Sequence, residues 1–227
     1  MRFQRDSVIA ALIWRYACHS AMLGLSLLTE GRPAPSLPDT VLDRLPRIAW
    51  IADHNYWIWL LCYVPAALLL WRRDRPAFLH FLYLGGALSL VRGLCVGLTG
   101  LGPAYGPDVN AGMSNLFSAW LMLINPFSTL FGNAAQVYLT KDLFFSGHVS
   151  TTFLLWLYCR GKGRLATLAA VGHWVTVAVV LLSHLHYTID VVGAWAVTYS
   201  LYVLAERLPQ GATASCTATR DRSGHPG

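Results

Sequence analysis

The feature that most constrains this chain is a series of long apolar runs separated by short connections rich in arginine. Only 12% of its 227 residues are charged, 55% are hydrophobic, and the mean hydropathy is +0.46. A soluble domain carries about 25% charged residues. Half that charge, together with runs near the ~20 residues needed to cross a bilayer, predicts a polytopic membrane protein. No polar linker divides the apolar part, so residues 1–208 are expected to form one domain. Residues 209–227 are too polar to pack and are expected to be a disordered tail.

Six spans are predicted, covering about residues 8–28, 56–71, 78–98, 146–159, 165–183 and 190–204. The expected fold is an all-α bundle of six transmembrane helices. Arg2 and Arg5 precede a first run that resembles a signal peptide, but Arg15 and His19 interrupt it and no clear cleavage site follows, which predicts a retained span. Arg15 is expected to snorkel toward the cytoplasmic end. Residues 30–47 are rich in proline and predict a loop. Residues 113–131 are apolar but broken at Asn125-Pro126, which fits a re-entrant or interfacial segment better than a span.

The connections give the orientation. With both termini in the cytoplasm, eleven Lys and Arg residues fall on the inner side. Four fall outside (Arg32, Arg44, Arg47 and Lys141), and Arg15 and Arg92 lie within spans, which accounts for all 17. This explains the net charge of +6 without nucleic acid as a partner. Five cysteines form no C-x-x-C pair and predict buried thiols rather than a disulfide framework.

The orientation gathers the candidate reactive groups at one membrane face, away from the cytoplasm. Ser146-Gly147-His148 opens the fourth span and His186 to Asp190 opens the sixth. His186 and Asp190, four residues apart, share one side of a helix. A carboxylate on one ring nitrogen fixes the tautomer and frees the other nitrogen to act. Unsatisfied backbone N–H groups at Ser146-Gly147 suit a phosphate. Arg92, deep in an apolar span, is expected to reach a lipid phosphate or an acidic partner such as Asp39 or Asp142. His19, His54, His80, His173 and His225 are expected to be structural or exposed. His184 lies near His186, but with no second carboxylate or cysteine nearby neither a metal nor another cofactor is expected.

These residues resemble the sphingomyelin synthase family of the type 2 phosphatidic acid phosphatase superfamily. Four stretches match its motifs in order: Leu37-Pro38-Asp39-Thr40 with Asp43; Arg72-Arg73 with Arg92 and Thr99; Asp142 with Ser146-Gly147-His148; and His186-Tyr187-Thr188-Ile189-Asp190-Val191. Thr140-Lys141, Val149, Ser89 and Leu185 depart from the family's pattern and leave the head group open.

The resemblance implies a membrane phosphotransferase that moves a phosphocholine or phosphoethanolamine type head group from a glycerophospholipid to a lipid alcohol such as ceramide or diacylglycerol. It assigns catalysis to His148, His186 and Asp190, and substrate binding to Asp39, Arg92, Asp142, Ser146, Gly147 and Tyr187. A lipid phosphate phosphatase with water as acceptor is the alternative. Such enzymes carry a lysine and arginines that this chain lacks, since no lysine precedes Lys141 and Val180 stands where an arginine is expected. Two lysines against 15 arginines point, by association, to a GC-rich bacterium and so to a periplasmic reactive face. In a eukaryote that face would look into the Golgi lumen or out of the cell.

Overall fold

The structure is a computed structural model. It describes the backbone of residues 7–131 and 134–220, and their side chains apart from 129, 130, 136 and 208–220. The extreme ends, with Arg2, Arg5, Arg222 and His225, lie outside the described residues. Every regular element among the described residues is helical. The long helices are α1 (Val8–Glu30), α2 (Ala49–Arg73), α3 (Arg75–Leu98), α7 (Gly147–Cys159), α8 (Arg164–Leu182) and α9 (Thr188–Arg220). Three short ones, α4 (Leu116–Ile124), α5 (Pro126–Phe131) and α6 (Ala134–Tyr138), fill the connection between α3 and α7.

All six expected runs are helices. Four of them, Val8–Glu30, Arg75–Leu98, Arg164–Leu182 and Thr188–Arg207, are long and apolar enough to cross a membrane. α2 has the length, but its first turns hold Asp53, His54 and Asn55. It begins seven residues before the expected start at Tyr56, and the extra turns carry Asp53 and Asn55 to the wall of the central cavity. α7 has 13 residues, about 20 Å at 1.5 Å per residue. α4 has nine, about 14 Å, against a hydrocarbon core of ~30 Å, so residues 113–131 do not make one continuous span. α9 continues as helix through residues 209–220.

Two contacts show which helix ends lie together. Asp74 caps α3 by accepting the Ala77 N–H at 3.0 Å, and its other oxygen pairs with Lys162 at 2.9 Å. Those interactions hold the Asp74 carboxyl below its ordinary range, the Ala77 N–H first and Lys162 next. The two basic connections, residues 72–75 and 160–164, therefore share one end of the bundle. At the opposite end the Ile48 N–H donates to the Leu182 carbonyl at 2.8 Å, joining the loops that carry the candidate site.

The core lies among α2, α3, α7, α8 and α9 around Leu70, Phe81, Leu154, Leu165 and Val180, all 1% exposed or less. The outer surface is apolar too, with Leu61, Leu98, Phe117 and Val171 exposed. Such a surface is suited to lipid rather than water.

α1 packs along α3, and glycines on α3 make that approach possible. A Cβ at Gly93 would stand 2.9 Å from Leu25 Cδ1 and 3.1 Å from Met22 Cα, which is backbone and cannot swing aside. Small residues play this part in membrane helix pairs because dispersion contacts replace a hydrophobic drive. Gly93→Val is expected to cost about 1–3 kcal/mol through overpacking. Gly97→Val, where nothing lies within 4 Å, should cost little by the same route. Melting of the two variants in detergent checks the contrast.

Candidate active site

The site is assembled on Asp190, in the first turn of α9 and fully buried. One carboxylate oxygen accepts from His186 Nδ1 at 3.2 Å and from the Tyr187 N–H at 3.1 Å. The other accepts the Phe144 N–H at 3.1 Å, and the Asp190 carbonyl takes the Ser146 N–H at 3.1 Å. A single residue thus ties the start of α9 to the loop that leads into α7. Because the carboxylate takes a proton donor from Nδ1, Nε2 is the nitrogen of His186 left free for chemistry.

Ser146 caps α7, its Oγ accepting the Val149 N–H at 3.5 Å. His148 follows in the first turn, its ring edge-on to Trp59 at 5.2 Å and to Tyr56 at 6.4 Å between centroids. Behind it, Trp195 Nε1 donates to His173 Nε2 at 2.9 Å, so His173 Nδ1 carries the proton that Thr152 Oγ1 accepts at 3.1 Å. The Thr152 hydroxyl in turn donates to the His148 carbonyl at 3.1 Å. His173 is thus structural, as expected, and it steadies the turn that carries His148.

His148 and His186 both line one cavity of about 240 Å³. Arg15 and His19 of α1, Trp59 of α2, and Gly85 and Arg92 of α3 complete much of its wall. Arg92 is only 6% exposed and committed. Its Nη2 donates to Asp142 Oδ2 at 2.8 Å and to the Asp142 carbonyl at 2.9 Å, and its Nε donates to the Phe145 carbonyl at 2.6 Å. Of the two acids named as its possible partners, Asp142 is the one it meets. Ser26 Oγ donates to the other Asp142 oxygen at 2.7 Å. Burial pushes the Asp142 carboxyl up, but the charge and hydrogen bonds of Arg92 prevail and leave it below its ordinary range. Gly147 is where this arginine passes α7, since a Cβ there would stand 3.2 Å from Arg92 Nε.

Three expected substrate contacts lie away from this cavity. Asp39 accepts the Thr188 N–H at 2.6 Å and its hydroxyl at 3.0 Å, and also the N–H groups of Val41 and Leu42, so it caps α9. Tyr187 is 2% exposed, its hydroxyl donating to the carbonyls of Gly102 and Pro103 and accepting the Leu37 N–H. The Ser146 side chain is fully buried in its cap. These groups hold the loops around the site.

The residue that the sequence reading placed elsewhere is Arg15. It does not snorkel to a helix end but turns inward, its Nη2 within 3.4 Å of Thr151 Oγ1. Arg15, His19 and Met22 are spaced four and three residues apart, which puts them on one helical face, and that spacing was a readable signal. Facing the cavity, this stripe makes His19 one of its lining residues.

Residues 141–207 match the family described as PAP2 superfamily C-terminal. Sphingomyelin synthase-related protein 1 of Homo sapiens is 30% identical over 179 residues, which cover 74% of this chain and 43% of that protein. The protein of the same name from Mus musculus is 29% identical over 179 residues, covering 74% of this chain and 37% of its own length. These likenesses support the sphingomyelin synthase-like branch of the PAP2 superfamily. It spans less than half the length of these curated relatives. The PAP2 match contains Asp142, His148, His186 and Asp190, whereas Arg15, Asp39 and Arg92 precede it. These likenesses and the apolar helices support an integral membrane protein.

Arg92→Met is expected to destabilise by about 3–5 kcal/mol, because it leaves the Asp142 charge buried without its partner. Adding Asp142→Asn should restore part of the loss, and a double-mutant cycle from denaturation in detergent measures the coupling. Asp39 gives a pH dependence. Its partial burial raises the carboxyl, but hydrogen bonds from Thr188, Leu42 and Val41 outweigh this and lower it. A lowered carboxylate stabilises the fold above the ordinary value near 3.8, and that stability is lost as pH falls through the folded value. Melting temperatures from pH 7 to pH 3 should therefore fall less steeply for Asp39→Asn than for the unaltered protein.

Proposed function

We propose that this protein is a membrane-embedded phosphotransferase that moves a phosphorylated head group from a glycerophospholipid to a lipid alcohol such as ceramide or diacylglycerol. The observation that carries the reading is that His186, oriented by buried Asp190, and His148 line the same cavity. His186 Nε2 attacks the phosphorus of the donor diester while His148 protonates the departing diacylglycerol oxygen. The P–O bond to diacylglycerol breaks as the P–N bond to His186 forms. His148 then takes the proton from the acceptor hydroxyl as that oxygen attacks the phosphorus and releases His186. With His186 acting as base, direct transfer uses the same residues.

The reading includes six spans with both termini cytoplasmic and a cavity on the opposite face. The shared end of the two basic connections supports this, as does the position of both histidines at the other end. Phosphocholine and phosphoethanolamine are the head groups that the family resemblance favours. Hydrolysis of a lipid monoester, the second reading, calls for more cations around a dianionic phosphate. Lys141 is no such cation, because it is bound to Asp108 and to the Arg32 carbonyl.

Purified protein in lipid vesicles should transfer labelled head group only when a lipid alcohol is present. His186→Ala and Asp190→Asn should abolish transfer with no loss of folded protein, and His148→Ala should slow it by about 10²–10⁴. Full transfer by His186→Ala would remove the assignment, and release of free phosphate without an alcohol acceptor would favour the phosphatase.

A further inference from the structure

Arg15 is the cation in the cavity that the scheme above leaves unused. A guanidinium has five N–H donors. That of Arg15 makes one long side-chain hydrogen bond, Nη2 to Thr151 Oγ1 at 3.4 Å, while Nη1 is buried with no partner. No carboxylate among the described residues forms an ion pair with it. The Phe81 ring stands 5.8 Å from Cζ. An unpaired cation in an apolar helix is costly and marks a functional position.

The surroundings are shaped to hold it there. A Cβ at Gly85 would lie 1.7 Å from Arg15 Nη1, so the guanidinium fits against α3 only because position 85 is glycine. Thr151 follows His148 by three residues on the same face of α7, so the guanidinium meets that helix about one turn beyond His148. A second orphan donor stands on another wall. Trp59 Nε1 is also buried without a partner, on the ring that packs against His148. Arg92, expected to reach a lipid phosphate or an acidic partner, is already paired with Asp142.

We propose that Arg15 binds the non-bridging oxygens of a lipid phosphodiester in this cavity, with Trp59 Nε1 as a second donor. The assignment deepens the transfer reading and rests on this cavity being where the donor binds. A cation with no ion pair among the described residues matches the single negative charge of a diester.

The test is calorimetric titration of the full chain in detergent, on a His186→Ala background that cannot turn the donor over. The probes are dihexanoylphosphatidylcholine, dihexanoylglycerol and inorganic phosphate. Arg15→Gln should weaken phosphatidylcholine binding by about 10- to 100-fold, the worth of a charge-assisted hydrogen bond, and Arg15→Lys should weaken it less. Dihexanoylglycerol affinity should stay within about twofold, and equimolar phosphate should not displace the phospholipid. The melting temperature of ligand-free Arg15→Gln should not fall, because no ion pair is lost.

Unchanged phosphatidylcholine affinity in Arg15→Gln would overturn the proposal. So would an equal loss for dihexanoylglycerol, displacement by inorganic phosphate, or a lower melting temperature with phospholipid affinity intact. Arg15-dependent binding with no transfer by the unaltered protein would sink only the transfer reading. Transfer with Arg15-independent binding would sink only this one.

Discussion

The buried carboxylate of Asp190 is the point on which the site depends. It gathers the His186 ring, the Tyr187 N–H and the Phe144 N–H, and its own carbonyl holds the Ser146 N–H. A charge in such a place is tolerated because each oxygen is met by donors, and in a low-dielectric interior an unmet one would be expensive. The same bonds that stabilise the acid fix the tautomer of one catalytic candidate and the starting point of the helix that carries the other. Structure and chemistry are therefore joined in one residue, and Asp39 reinforces it by capping α9 two residues before Asp190.

Around this centre the polar groups divide into those that hold the walls and those left free. Arg92, Asp142 and Ser26 bond to one another, while Lys141 is held by Asp108 and by Glu30, which accepts the Lys141 N–H at 2.7 Å. Tyr187 anchors the loops of residues 37 and 102–103. Among the described residues that line the cavity, His186, His148, Arg15 and Trp59 keep donors or acceptors that are not fully consumed. In a medium without water, a polar group left open toward a cavity has its natural partner in a substrate.

Several elements were legible because they depend on local pattern alone. Apolar runs became helices, Asn125-Pro126 split α4 from α5, and the four-residue spacing of His186 and Asp190 gave the contact that spacing implies. Arg15 was misread for a physical reason. A lone arginine in an apolar run has two solutions, to reach the helix end or to turn into the bundle, and the choice rests on whether another helix offers room. Gly85 offers it, and nothing in residues 8–30 reveals that. Asp39, Ser146 and Tyr187 were seen as polar groups near the reactive face, but whether such a group faces a substrate or caps a helix depends on segments distant in the chain.

The sequence by itself determined that this chain is helical and apolar, that its basic connections alternate with polar ones, and that two histidines and an acid open helices at one end. Periodicity and charge are properties of neighbouring residues, so one dimension is enough to express them. The tertiary structure decided which cation is spent and which is free, because pairing is a matter of distance between α1, α3 and the loop before α7. Arg92 found Asp142 at 2.8 Å, and Arg15, against a glycine and a threonine, found no counterion among the described residues.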